Sequence, residues 1–130
     1  MIKVAVFENE YRLFEPIFGV VNFMRFANNF EFKYFESSQK FGDLENIKEY
    51  GLAIIDIELA PKSELDGYGL IKKLLKLKSP PKIAILTGHS KVKESLIEKE
   101  ITQDFPILQK PIKIDELEKV LKPFALSVSI

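Results

Sequence analysis

The chain has 130 residues, 46% hydrophobic and 29% charged, with Lys+Arg and Asp+Glu equal at 19 each. That length makes one domain, able to bury roughly two-thirds of its unfolded surface, and the balanced charge gives no net pull towards nucleic acid or an anionic membrane. The lack of Cys excludes disulfides, thiolate catalysis and Cys-ligated metals, and fits a reducing compartment.

The start, Met1-Ile2-Lys3-Val4, lacks the shape of a signal peptide. No apolar run approaches the roughly 18 residues that cross a bilayer, so a cytoplasmic protein with no membrane partner is expected. Ile2 to Phe7 reads as a first strand, closing in Glu8-Asn9-Glu10. From Arg12 to about Phe26, the apolar residues Phe14, Ile17, Phe18, Val21 and Met24 keep helical spacing. Pro16 falls in the first turns, where its missing N–H costs least, and Asn28-Asn29 closes the segment. Phe32 and Tyr34 alternate with Glu31 and Lys33, which predicts a more exposed second strand. Ser37-Ser38 then leads into a helix expected over Phe41 to Tyr50.

Leu52-Ala53-Ile54-Ile55 is an apolar run after Gly51, as in a third strand buried on both faces, and it ends in Asp56-Ile57-Glu58. A loop from Leu59 to Asp66 holds Pro61 and ends in the turn signal Asp66-Gly67. Leu70, Ile71, Leu74 and Leu75 mark a helix that Ser79-Pro80-Pro81 stops. Ile83 to Leu86 is a fourth buried strand, ending in Thr87-Gly88-His89-Ser90. Lys91 to about Glu100 is a charged helix with Val92, Leu96 and Ile97 as its apolar side. Phe105 to Leu108 is the fifth strand, ending in Gln109-Lys110-Pro111. Ile114, Leu117, Val120 and Leu121 make a last amphipathic helix, with Asp115 and Glu116 in its first turn.

Five βα units predict an α/β fold, a doubly wound parallel sheet. Of the 11 Phe, 9 lie at or before Phe41, which reads as core filling around the first helix and two strands. All strand ends of such a sheet share one edge, where ligands bind. Glu8 and Asn9, Asp56, Thr87 and Lys110 therefore converge there. Two carboxylates and an amide oxygen make a hard-oxygen site of the kind Mg²⁺ accepts. A hydroxyl and a fixed ammonium opposite suit the oxygens of a phosphoryl group, and a carboxylate nucleophile beside them is the arrangement for an aspartyl-phosphate.

In order and spacing, Glu8-Asn9-Glu10, Asp56, Thr87-Gly88-His89-Ser90 and Lys110-Pro111 resemble the receiver domain of two-component response regulators, over residues 1–123. The resemblance implies a stand-alone (βα)5 flavodoxin-like domain of strand order 2-1-3-4-5, with 124–130 as a short tail or the start of a linker. It implies that Asp56 takes a phosphoryl group from a histidine kinase or phosphotransfer protein. Glu8, Asn9, Asp56 and the backbone carbonyl of Glu58 would hold Mg²⁺, while Thr87 and Lys110 would bind the phosphoryl oxygens. Glu58 and His89 occupy the positions that tune the lifetime of the acyl phosphate. The only catalysis implied is the domain's own phosphoryl transfer and hydrolysis. The helix after His89, strand five and the last helix would form the face read by a downstream protein, and pairing of the last two helices would give a homodimer.

Three positions depart from the family pattern. The usual acidic pair is Asp-Asp, and here it is Glu8-Asn9, one negative charge fewer. The loop between Asp56 and Asp66-Gly67 is about three residues longer and is expected to hang over the site. Ile107 stands three before Lys110, where the family has its switching Tyr or Phe. Two other readings follow from the same residues. One is a pseudo-receiver that binds partners without phosphorylation, favoured by Asn9 and Ile107. The other is a haloacid-dehalogenase type phosphatase, disfavoured because its acidic pair follows the Lys.

Overall fold

The computed structural model describes residues 1–59 and 61–128, with side chains to 125. Strand β1 (Ile2–Phe7) leads through a 3-10 turn (Tyr11–Leu13) into helix α1 (Glu15–Phe26). Strand β2 (Phe30–Phe35) is followed by the short helix α2 (Ser38–Phe41) and a second 3-10 segment (Leu44–Glu49). Then come β3 (Leu52–Asp56), α3 (Gly67–Leu75), β4 (Ile83–Thr87), α4 (Val92–Glu98), β5 (Ile107–Gln109) and α5 (Ile114–Val128). All strand pairs are parallel and the order is β2-β1-β3-β4-β5, as expected for a flavodoxin-like sheet.

The period of two along each strand sorts the core into two layers. Val4, Val6, Leu52, Ile54, Ala84, Leu86 and Leu108 face α1 and α5, where Phe18, Val21, Leu117 and Leu121 meet them. Ala5, Phe7, Ala53, Ile55, Ile83 and Ile85 face the other way, onto Leu70, Ile71 and Leu74 of α3 and Leu96 of α4. β3 and β4 are buried along their whole length, which is why they read as unbroken apolar runs. Of the Phe-rich first third, Phe7, Phe18, Phe26 and Phe30 are core, whereas Phe23 is 70% exposed on α1.

Several boundaries differ from expectation, each for a local reason. The helix expected over 41–50 is split at Gly42, whose φ of +86° lies in the region open to glycine. Ser37 and Asp43 cap the two pieces, accepting from the N–H of Lys40 and Glu45. β5 is shorter and later than 105–108, since only Ile107 to Gln109 pair with β4. α5 runs through Pro123 to Val128, so residues 124–128 continue the helix where a tail was expected. Phe124 and Ala125 pack against the α1 side of the core, and residues 129–130 lie outside the described residues. No helix of the described residues is long and apolar enough to cross a membrane.

Candidate functional site

The strand order reverses between β1 and β3, and the crevice at such a switch point opens at the carboxyl ends of the strands. Glu8, just beyond β1, is fully buried, Asp56 ends β3 at 1% exposure, and Thr87 ends β4 fully buried. Lys110 follows β5, and its backbone N–H donates to the Thr87 carbonyl at 2.7 Å. These four expected residues are brought together.

Lys110 Nζ joins the two acids. It donates to Asp56 Oδ2 at 3.1 Å and lies 2.9 Å from Glu8 Oε2. The contact with Glu8 is an ion pair without hydrogen-bond alignment, so Oε2 is a buried oxygen with no hydrogen bond. The other oxygens are held by backbone: Asp56 Oδ1 accepts from Glu58 N–H at 2.9 Å and Glu8 Oε1 from Glu10 N–H at 3.0 Å. Thr87 Oγ1 accepts from His89 N–H at 2.9 Å. Burial, with the Asp56 carboxyl alongside, pushes the Glu8 pKa from 4.5 up to about 7. Burial alone would lower the Lys110 ammonium, but the close contact with Glu8 at 2.9 Å and the charge of both acids outweigh it and hold its pKa above the ordinary value.

The raised Glu8 pKa has a signed consequence. The folded chain keeps a proton that the unfolded chain releases near 4.5, so this group costs stability as pH rises from 4.5 to about 7, and fully above that. Glu8→Gln removes the linked proton while keeping the shape. Above pH 7 without divalent cation it is expected to stabilise the fold by roughly 1–2 kcal/mol, and below pH 4.5 to change little. Thermal melts across that range check it. An equal offset at every pH would contradict the linkage.

Asn9 takes a different place. It is half-exposed and lines a cavity of about 330 Å³ with Glu10, Glu36, Gln39, Lys40 and Lys62, and no hydrogen bond ties its side chain to the Glu8–Asp56–Lys110 cluster. Among the described residues no three His, Asp or Glu side chains converge as a metal cage. The hard-oxygen donors available are the carboxylates of Glu8 and Asp56, the amide of Asn9 and nearby backbone carbonyls. Two buried carboxylates, one with an unbonded oxygen, fit a hard divalent cation held by few protein charges.

Glu58 and His89 meet beside the ends of β3 and β4, with Nε2 to Oε2 at 3.1 Å and both side chains more than half exposed. They border a cavity of about 390 Å³ that also meets Tyr68 and Lys91. Ile107 is half-buried and packs with Phe105 against the α3–α4 side of the core, so β5 carries no aromatic ring at that point.

The longer loop after β3 is tied to α2, and its Pro61 and Lys62 line the cavity that Asn9 and Glu10 also border. Its residues 62–65 fold back onto the start of α2. Ser63 Oγ accepts from Ser38 N–H at 2.8 Å and donates to Ser38 Oγ at 3.0 Å. Gln39 Nε2 donates to the Lys62 carbonyl at 2.8 Å, and its Oε1 accepts from Glu64 N–H at 2.8 Å. No spacing rule pairs Ser38 with Ser63, so the sequence carries no signal for this strap. Asp66-Gly67 opens the third helix. Asp66 caps α3, accepting from Gly69 N–H at 2.7 Å, and Gly67 opens the helix against the Asp56 backbone.

Neither a protein-family model nor a curated protein matches the chain. Solved structures do. The receiver domain of NtrX from Brucella abortus aligns at TM-score 0.72 and 20% identity, over 96% of this chain and 98% of that one. The CheY-like response regulator receiver domain protein from Methanospirillum hungatei JF-1 aligns at 0.73 and 18%, over 98% and 95%. The Francisella response regulator 1452 receiver domain aligns at 0.74 and 23%, over 98% of each. The chain has the fold of these receiver domains along nearly its whole length.

Proposed function

We propose that the chain is a signalling receiver that accepts a phosphoryl group on Asp56. The observation that carries this reading is the buried Asp56 carboxylate at the end of β3, with Lys110, Glu8 and Thr87 around it. A lone buried carboxylate is costly, and a cluster of this composition at a sheet's switch point suits the binding and transfer of a phosphoryl group.

One Asp56 oxygen attacks phosphorus, an acyl-phosphate bond forms, and the bond to the leaving group breaks. From a phosphohistidine that leaving group is imidazole, and from acetyl phosphate it is acetate. Lys110 already meets Asp56 at 3.1 Å and swings to the incoming oxygens. Thr87 accepts from His89 N–H, which leaves its own hydroxyl proton to donate. Glu8, Asn9, Asp56 and the Glu58 carbonyl would hold Mg²⁺, whose contribution is to neutralise charge on the phosphoryl oxygens. The added charge biases the β4–α5 face that a partner reads, with a histidine kinase or phosphotransfer protein upstream. No other catalysis is proposed.

A second reading, a pseudo-receiver acting without phosphorylation, is favoured by Asn9 in place of an acidic residue and by Ile107 in place of an aromatic one. Incubation with Mg²⁺ and acetyl phosphate separates the two, read as a phosphoryl mass gain. The wild type is expected to gain it and Asp56→Asn to lose it. Asn9→Asp is expected to lower the Mg²⁺ needed by about tenfold, because it returns one negative charge to the site. No gain in the wild type or in Asn9→Asp would favour the pseudo-receiver.

A further inference from the structure

Lys110 has a third neighbour that is not a carboxylate. The Phe14 ring faces its ammonium, with Nζ 5.1 Å from the ring centroid. Phe14 sits at the joint between the 3-10 turn and α1, four residues after Glu10. Its backbone is fixed at both sides, since its N–H donates to the Tyr11 carbonyl at 2.9 Å and its carbonyl accepts from Phe18 N–H at 3.2 Å. Its side chain packs on the α1–α5 layer of the core, so the ring cannot drift with the loop. The Lys110 side chain is 25% exposed, and without the ring its ammonium would have a route from the acids to water.

We infer that Phe14 is a positioning residue for Lys110, its ring face forming the wall that keeps the ammonium between Glu8 and Asp56. An ammonium is drawn to the negative face of an aromatic ring, and more so where water is partly excluded. The attraction holds while Nζ lies over the ring face, so Lys110 can turn from Glu8 towards Asp56, which it already meets at 3.1 Å, and stay against the ring. A methyl or methylene group in the same place fills the space but supplies no such attraction. With Ile107 on β5, the ring against the Lys110 ammonium comes from the start of α1.

The role in phosphoryl transfer rests on the proposed function, but the contact itself is testable without it. In proton NMR of the unmodified protein, the ring should shift the Lys110 Hε resonances upfield. Phe14→Leu is expected to remove that shift and Phe14→Tyr to keep it. With acetyl phosphate and Mg²⁺, Phe14→Leu is expected to slow phosphoryl gain about two- to fivefold, with Phe14→Tyr restoring it. A Lys110 Hε shift unchanged in Phe14→Leu would overturn the contact. A slowed Phe14→Leu that Phe14→Tyr does not restore would also overturn the inference, since a merely structural role would then explain the loss. If the wild type accepts no phosphoryl group, the proposed function falls while the NMR arm still decides the positioning.

Discussion

Gly67→Ala is expected to destabilise the fold by about 3 kcal/mol, because the added methyl group meets backbone on which the site is built. An added Cβ would lie 2.4 Å from the Asp56 carbonyl oxygen, 2.4 Å from Ile57 Cα and 2.8 Å from the Ile57 carbonyl carbon. None of these atoms is the end of a flexible side chain, so either α3 lifts away or the end of β3 moves. Lifting α3 uncovers Leu70, Ile71 and Leu74, which are fully buried. Moving β3 displaces Asp56 from Lys110, and phosphoryl acceptance should fall with stability. Urea unfolding measures the first effect, and acetyl phosphate labelling the second. Gly19→Ala is the control: nothing lies within 4 Å of its added Cβ, it is in a helix, and it should gain up to about 1 kcal/mol. Equal behaviour of the two variants would show that close approach at Gly67 is not limiting.

Lys110→Met should be the other large change, and its size should depend on pH. Removing the ammonium leaves Glu8 and Asp56 facing each other, buried, with no cation between them. Deleting one partner of a buried ionic cluster typically costs 3–5 kcal/mol, and the one-quarter exposure of Lys110 reduces this to about 2–3 kcal/mol at pH 8 without divalent cation. The Glu8 pKa, already about 7, rises further when the ammonium is gone. Below its unfolded value of 4.5, Glu8 is protonated in both states and donates rather than repels, so the penalty should shrink there. Denaturant midpoints at both pH values check this. A loss independent of pH would mean that Lys110 acts through packing of its stem and not through charge.

The cluster also explains a tension in the chain's chemistry. Asn9 removes a negative charge from the strand-one corner, yet burial keeps Glu8 reluctant to ionise. A bound divalent cation would relieve that reluctance, and a phosphoryl group would take Lys110 away from Glu8. The unbonded Glu8 Oε2 would gain a partner from such a cation.

What the sequence determined by itself is the set of properties that repeat along a strand or helix. The apolar runs of β3 and β4 and the helical spacing of α1, α3 and α5 follow from local periods of 2 and 3.6. Once five parallel strands are recognised, the convergence of Glu8, Asp56, Thr87 and Lys110 follows too, because every strand of a parallel sheet ends on one edge. The tertiary structure alone decided how those ends touch. Lys110 reaches both acids, Phe14 caps its ammonium, and Asn9 shares a cavity with Pro61 and Lys62 of the long loop. It also decided that Ser38 and Gln39 strap the long loop to α2, and that Gly67 lies against a neighbouring backbone with no room for a side chain. These are distances between elements far apart in the chain. They depend on how helices settle on the sheet to within an ångström, and no periodicity in the sequence encodes such a distance.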